Sequence, residues 1–349
     1  MKISKNYLLL GMLTLALVSV VISCKDDDDD ETLVGNWLKK SDYEGAARSQ
    51  AVAFSIGNFG YVGSGYNFDN DERLKDFWQY DPDLDNWRQV ASLDEGVHAI
   101  GNATARSGAV AFAVDGKGYV GLGKDETRML GDFWVYDPVS NTWDTLNTVN
   151  QGPDARYGAV AFAINNIGYV GTGNNGSNLK DLWAYDPANN SWTLKTSYQS
   201  KVSEAVAFVL NGRGYICTGF HNDYNKDFYA YNPETNTWEA KRPTDNVSDE
   251  SYDDDYTTMV RRKAVAFVIG SKAYVTTGDR STALKSDVWE YDPATDLWIK
   301  KSNYEGQSRN EAVAFTIGDR AFVTTGLAST TDFDDMWEFK PNDVANEND

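Results

Sequence analysis

The sequence has few cysteines, few histidines and a shortage of basic residues, and each shortage excludes a class of protein. Only Cys24 and Cys217 are present, which is too few for a disulfide-rich scaffold. The two histidines, His98 and His221, lack the spacing of a metal site. Lys and Arg number 32 against 52 Asp and Glu, a net charge of −20, which argues against nucleic acid as a partner.

Long hydrophobic runs are also missing, apart from one at the amino terminus. The run from Tyr7 to Ile22 is shorter than the roughly 20 apolar residues that a membrane helix needs. A short basic region precedes it and Ser23-Cys24 follows it, the layout of a secretory signal peptide. We predict that residues 1–23 are removed as this signal.

The residues around Cys24 resemble the processing site of bacterial lipoproteins. Val21-Ile22-Ser23-Cys24 is similar to the cleavage box in which the cysteine becomes the lipidated first residue, and five aspartates follow Lys25. An acidic tether of this kind resembles the export signal of surface lipoproteins in Bacteroides-like bacteria. The resemblance implies an acidic tether over residues 24–35 and an outer-membrane protein that faces the cell exterior, attached by its lipid alone. The alternative is a solvated spacer, because like charges keep a chain extended.

What the sequence does have is a repeat with a period near 50 residues. The element Ala-Val-Ala-Phe recurs six times, beginning at Ala51, Ala109, Ala159, Ala205, Ala264 and Ala312. Each copy continues through a turn that contains glycine or asparagine, a glycine-rich strand and an Asp-x-aromatic strand. The first five copies then have an Asp-Pro or Asn-Pro turn and a last strand that begins near a tryptophan. This order predicts four short strands in a complete copy. Cys217 lies in a strand pattern and is predicted to be a buried apolar residue.

The repeat resembles the kelch repeat of β-propellers over residues 36–341, although Gly-x-Gly or Thr-Thr-Gly replaces the usual glycine pair. We therefore expect an all-β fold, a six-bladed kelch-type β-propeller that is monomeric. The sixth copy lacks a fourth strand, and the segment from Trp37 to Gly45 nearly duplicates the segment from Trp298 to Gly306. The amino-terminal strand is thus predicted to complete the last blade, leaving residues 342–349 as a disordered tail.

Loop lengths indicate which face of the propeller binds a ligand. The long loops, residues 66–75, 91–105 and 241–260, are all predicted on the face opposite the short turns, and variable loops on a rigid scaffold usually carry function. The candidate ligand-binding side chains in these and neighbouring loops are Tyr66, Phe68, His98, His221, Tyr224, Tyr252 and Tyr256. The rings suit a glycan or a protein ligand; alternatively, they pack their own loops.

A second candidate site lies near the axis, just before each Ala-Val-Ala-Phe element. Five copies have an arginine there, namely Arg48, Arg106, Arg156, Arg261 and Arg309, and the fourth has Val202. Two residues further on, Glu204, Lys263 and Glu311 stand in three of the copies. The arginines could grip a carboxylate-bearing sugar or an acidic side chain, or each could pair with a repeat aspartate and pin adjacent blades.

These features favour a non-catalytic cell-surface module that binds a glycan or a protein and needs no cofactor or metal. Resemblance to the kelch-type sialic-acid mutarotase implies an alternative, an enzyme for an acidic sugar that uses Glu204, Glu311, Arg156 and Arg309. Galactose oxidase is a weaker match, since its copper needs two Tyr and two His. The acidic segment 249–255 lacks calcium-loop spacing, so it is interpreted as a solvated loop.

Overall fold

A computed structural model describes residues 33–94 and 104–346. The predicted signal peptide, the lipidation site Cys24, most of the tether and the candidate His98 lie outside these residues. In the described segments, no helix is long and apolar enough to cross a membrane.

The chain forms six four-stranded antiparallel sheets, the blades of a propeller. The strands of blades 1 to 3, from the axis outward, are Val52–Ile56, Phe59–Gly63, Phe77–Asp81 and Asn86–Val90; Val110–Val114, Lys117–Gly121, Phe133–Asp137 and Thr142–Thr145; and Val160–Ile164, Ile167–Gly171, Leu182–Asp186 and Ser191–Lys195. Those of blades 4 to 6 are Val206–Leu210, Arg213–Cys217, Tyr229–Asn232 and Thr237–Ala240; Val265–Ile269, Lys272–Thr276, Val288–Asp292 and Leu297–Lys301; and Val313–Ile317, Arg320–Thr324, Met336–Val344 and Val34–Lys40. The predicted fold class is confirmed.

Small hairpins project from the face that carries the loops between second and third strands. Blades 1, 4, 5 and 6 form them from Tyr66–Asn67 with Glu72–Arg73, Phe220–His221 with Asp223–Tyr224, Asp279–Arg280 with Ala283–Leu284, and Leu327–Ala328 with Thr331–Asp332. Two short 3-10 helices, Ser251–Asp253 and Tyr256–Thr258, lie in the connection between blades 4 and 5.

The hydrophobic core lies between neighbouring blades. Val52 and Phe54 of the first strand are buried, whereas the alternating Ala51 and Ala53 line the axial channel, as the period of two in a strand requires. Blades approach each other closely at Gly118, where an added Cβ atom would lie 2.3 Å from the Phe54 ring of the preceding blade. Glycine in the second strand therefore allows neighbouring blades to pack closely.

The amino-terminal strand closes the ring as predicted. Val34–Lys40 pairs antiparallel with Met336–Val344 as the outer strand of blade 6. Trp37 has no solvent exposure, and its ring centroid lies 4.7 Å from that of Phe339. The strand of blade 6 continues past residue 341 because Val344 pairs with Val34 across a register shift, so residues 342–344 are strand rather than tail.

Candidate functional site

Six residues, one from each blade, form a ring around the loop-face mouth of the axial channel. They are Gln50, Gly108, Gly158, Glu204, Lys263 and Glu311. The backbone N–H of each donates to the carbonyl oxygen of its counterpart in the preceding blade, at 2.8 to 3.1 Å, so the hydrogen bonds close on themselves. We call these six residues the mouth ring.

The mouth ring has a left-handed backbone in every blade. The φ angles run from 52° at Gln50 to 62° at Gly108. This conformation suits glycine and costs other residues about 1 kcal/mol or more. Four blades nevertheless have a long polar side chain there, and strained backbone of this kind is typical of functional positions.

The four side chains of the mouth ring connect with one another along one side of the mouth. The amide of Gln50 donates to Glu311 at 3.0 Å. The amine of Lys263 lies 2.5 Å from Glu311 and 4.0 Å from Glu204, and Arg262 reaches Glu204 from outside the ring at 3.3 Å. This polar arc, Arg262–Glu204–Lys263–Glu311–Gln50, spans blades 4, 5, 6 and 1.

Blades 2 and 3 leave the mouth open because their ring residues are Gly108 and Gly158. A cavity of about 330 Å³ lies at the mouth and is lined by all six mouth-ring residues, and on the side of these two blades Lys124 and Tyr157 contribute to its wall. The Lys124 amine lies 5.1 Å from the centroid of the Tyr157 ring, a cation–π distance. We call this part of the mouth the glycine sector.

Small side chains line the channel below the mouth ring. Each blade contributes two alanines: Ala51 and Ala53, Ala109 and Ala111, Ala159 and Ala161, Ala205 and Ala207, Ala264 and Ala266, and Ala312 and Ala314. The channel here has a volume of about 190 Å³. The charged side chains of the mouth thus lie above a channel that is lined by alanine side chains and strand backbone.

Burial and neighbouring charges shift the pKa values of two side chains at the mouth, Glu204 and Lys263. Burial raises the pKa of Glu204, against the opposing charges of Lys263 and Arg262. Burial alone would lower the pKa of Lys263, but the carboxylates of Glu311 and Glu204 raise it. Lys263 is therefore a firmly charged member of the arc, whereas Glu204 accepts a proton more readily than a glutamate in water does.

The predicted arginine pocket is wrong. The arginines Arg48, Arg106, Arg156, Arg261 and Arg309 are 0 or 1% exposed, and each pairs with the repeat aspartate of its own blade. In a regular strand, side chains two residues apart point to the same face. The arginine and the mouth-ring residue two positions later do not, because the mouth-ring residue has a positive φ. The arginine side chain therefore turns into its blade while the mouth-ring residue remains at the axis.

The arginines instead have the structural role given as the alternative, in which each pairs with a repeat aspartate and joins adjacent blades. The Arg48 guanidinium donates to Asp76 and to the carbonyl oxygen of Ser64 in its own blade. Its own carbonyl oxygen accepts from Gly326 of blade 6. Each arginine thus orders the loop of one blade and joins that blade to its neighbour.

Blade 4 departs from this pattern. Val202 replaces the arginine and is fully buried. The Asn225 amide takes over the hydrogen bond to the Thr218 carbonyl oxygen, which the guanidinium makes at the equivalent position elsewhere. The Asp227 carboxylate accepts a side-chain hydrogen bond from Ser200, and no Lys or Arg of the described segments lies within 4.0 Å of it.

The predicted loop aromatics divide into exposed and packed groups. Phe68 is 39% exposed at the tip of its hairpin, and His221 is exposed. Tyr66 is half-buried, with its hydroxyl on Asp71 at 2.5 Å. Tyr224 is half-buried as well and accepts a hydrogen bond from the Ser281 backbone; with His221 it lines an outer cavity of about 460 Å³.

The loop over residues 241–260 is packed rather than open, which corrects the prediction for Tyr256. That side chain is 1% exposed, and its hydroxyl accepts from the Trp298 backbone at 2.7 Å. Tyr252 packs against the same core beneath Arg242. Asp253 is buried and accepts from the backbone of Val247 and Ser248, so the acidic segment is not simply solvated. Within residues 33–94 and 104–346, no cluster of three or more His, Cys, Asp or Glu is arranged to hold a metal ion.

Sequence reasoning missed Lys124 and Tyr157. Lys124 directly follows Gly-Leu-Gly, and Tyr157 lies between the arginine position and the mouth-ring position of its copy. At the position of Tyr157 the other copies have Ser49, Ser107, Ser203, Arg262 and Asn310. The sequence signal for both residues is therefore their difference from the residues at the same positions in the other copies.

Comparison with known proteins gives one family. A family model described as the Attractin/LZTR1 beta-propeller matches residues 118–338, from the second strand of blade 2 to the third strand of blade 6. No curated protein matches the chain.

Proposed function

The chain belongs to the Attractin/LZTR1 β-propeller family, and on that basis we propose that it is a non-catalytic binding module whose ligand enters the mouth on the loop face. The ligand group at the mouth is one sugar residue of a glycan or one side chain of a protein. A cavity of about 330 Å³ has room for a group of that size.

The observation that carries the proposal is the asymmetry of the mouth ring. Six backbones share one conformation and one hydrogen-bond pattern, so the scaffold does not require different residues at these positions. Four blades have polar side chains and two adjacent blades have glycine. The backbone is thus the same in all six blades, whereas the side chains differ from blade to blade. This combination is typical of a binding site that is carried on a rigid framework.

We also propose that the module acts at the cell surface, anchored by a lipid on Cys24 and facing the exterior. Support comes from the sequence alone: the apolar run before Cys24 and the aspartates after it. Metabolic labelling with a radioactive fatty acid tests the anchor. The label should be present in the wild type and absent from Cys24→Ser, and equal labelling of the two would contradict this part of the proposal.

The test of the binding function compares three proteins on a glycan array and in pull-downs: the wild type, Gly108→Gln and the control Gly116→Gln. The added Cβ at Gly108 would meet its neighbours at 3.5 Å or more, so the variant should fold while a side chain occupies the glycine sector. Gly116 also has a positive φ, but it lies in the turn between the first two strands of the same blade, on the opposite face, where an added Cβ would meet nothing within 4 Å. We expect Gly108→Gln to lose the ligands that the wild type and Gly116→Gln retain. Identical ligand profiles for all three would contradict a site at the mouth.

A second candidate, acid–base catalysis on an acidic sugar, draws on Glu204. Its pKa is raised by burial, which is a property of general acids. The buried Arg156 and Arg309 cannot reach a substrate, so only Glu204 and Glu311 remain of the residues that the mutarotase resemblance implied. Mutarotation of sialic acid above the spontaneous rate, abolished in Glu204→Gln, would favour this function over simple binding.

A further inference from the structure

In the polar arc, each charged side chain lies within 4.0 Å of one of opposite sign, and the glycine sector differs in this respect. In the polar arc, Lys263 lies between Glu204 and Glu311, and Arg262 lies between Glu204 and Asp279. Lys124 is different: within residues 33–94 and 104–346 no carboxylate lies within 4.0 Å of its amine, which lies over the ring of Tyr157. Among these residues, the Lys124 cation at the cavity wall has no counter-ion.

Two side chains that can accept hydrogen bonds, Gln50 and Glu204, flank the glycine sector. Gln50 precedes Gly108 in the mouth ring and Glu204 follows Gly158. A Cβ atom added at Gly158 would lie 3.2 Å from Cγ of Glu204, which places the Glu204 side chain directly beside the opening. One cation, one carboxylate and one amide therefore surround the same space.

Resting on the proposed function, we infer that the glycine sector binds a sugar residue with a single carboxylate. Lys124 pairs with that carboxylate, and Glu204 and Gln50 hydrogen-bond to the hydroxyl groups of the sugar. Carboxylate and amide side chains accept hydrogen bonds from hydroxyls, while an ammonium accepts none and pairs with an anion. The cavity volume of about 330 Å³ suits one such residue.

An acidic peptide fits these groups less well. Its side chains bring carboxylates without hydroxyl donors, and Glu204 and Glu311 would then face like charges. The net charge of −20 also opposes the approach of a polyanionic segment. A sugar with one carboxylate meets a smaller repulsion and supplies hydroxyl donors, which the carboxylate of Glu204 can accept in addition to its contacts with Arg262 and Lys263.

The test measures binding by saturation-transfer NMR and calorimetry, with the full chain and three acidic sugars: glucuronate, galacturonate and N-acetylneuraminate. Glucose and galactose are the matched uncharged probes for the first two. We expect the wild type to bind at least one acid about tenfold or more tightly than its uncharged partner, as for one charge-assisted contact. Lys124→Met should remove this preference and Lys124→Arg should keep it. Added salt should weaken binding of the acid more than binding of the neutral sugar.

The outcomes separate this inference from the proposed function. If no acidic sugar binds, or if Lys124→Met binds the acid as tightly as the wild type does, the inference is wrong. If Gly108→Gln still loses the array ligands in that case, the mouth remains a binding site for another ligand class. If Gly108→Gln loses nothing either, both proposals fall.

Discussion

The guanidinium of Arg48, which has no solvent exposure, donates two hydrogen bonds to the carboxylate of Asp76 at 2.7 and 2.8 Å. Asp76 also accepts from Trp78 Nε1 at 2.8 Å. The same trio of arginine, aspartate and tryptophan recurs in every blade except the fourth. The pair is therefore part of the scaffold, and blade 4 provides an internal control for its energetics.

Removing the repeat aspartate should lower the free energy of unfolding strongly in blade 1 and only slightly in blade 4. Asp76→Ala leaves a buried guanidinium without its counter-ion, which costs about 3 kcal/mol of unfolding free energy or more. Asp227→Ala removes a carboxylate whose side-chain partner is Ser200, which costs about 1 kcal/mol. Urea denaturation checks both. Equal shifts of the two midpoints would show that the Arg48 pair does not stabilise the fold.

Acid should weaken the blade that closes the ring. Burial would raise the pKa of Glu338, but Arg320 and Lys340 lower it to about 2. Because the pKa is lower in the folded state, the stabilisation is complete above the unfolded value of about 4.5 and is lost as the pH falls towards about 2. Glu338→Gln should thus be less stable than the wild type at neutral pH, by about 3 kcal/mol. The two proteins should converge in acid, and a difference that does not change with pH would contradict the assignment.

Closure of the ring depends on Trp37. Its ring lies within 5 Å of those of Phe339 and Tyr304 and has no exposure, so Trp37→Ala should cost about 3 to 5 kcal/mol. Lys39→Ala, on the same strand with a side chain 51% exposed, is the matched control and should change little. Deleting residues 31–45 should lower the melting temperature greatly. An unchanged melt after deletion would contradict closure by this strand.

The thiol of Cys217 should be unreactive in the folded protein. The side chain is fully buried, and burial raises its pKa well above the usual range, which removes both access and thiolate. In a Cys24→Ser background, a thiol-specific reagent should modify Cys217 only after denaturant is added. Rapid labelling under native conditions would mean that the second strand of blade 4 opens readily.

The scaffold could be predicted from the sequence because its signals repeat. Six copies of Ala-Val-Ala-Phe and the likeness of the Trp37 and Trp298 segments determined blade number and closure. The repeat pattern could not predict where the side chains just before each first strand point, such as those of Arg48 and Gln50. The period of two places Arg48 and Gln50 on one face of a strand, but the positive φ of Gln50 separates them into blade interior and mouth.

The loops were less predictable for a related reason. Residues 241–260 were identified as a long insertion, but length does not tell whether a loop packs. The burial of Tyr256 against the core and its hydrogen bond to the Trp298 backbone depend on tertiary contacts with blade 5. Lys124 and Tyr157 lie in one cavity wall because adjacent blades bring them together beside two glycines, a contact that the local sequence does not encode.

The claim that the glycine sector is the binding site is tested most directly by one affinity measurement. Calorimetry of the best array ligand should be carried out with the wild type, Gly108→Gln and the control Gly116→Gln, after confirming that all three unfold cooperatively. We predict that Gly108→Gln weakens binding about tenfold or more, equivalent to about 1.4 kcal/mol, because its side chain occupies the cavity. Gly116→Gln, in a turn on the opposite face, should bind within a few fold of the wild type. Equal affinity of Gly108→Gln and the wild type would contradict the account.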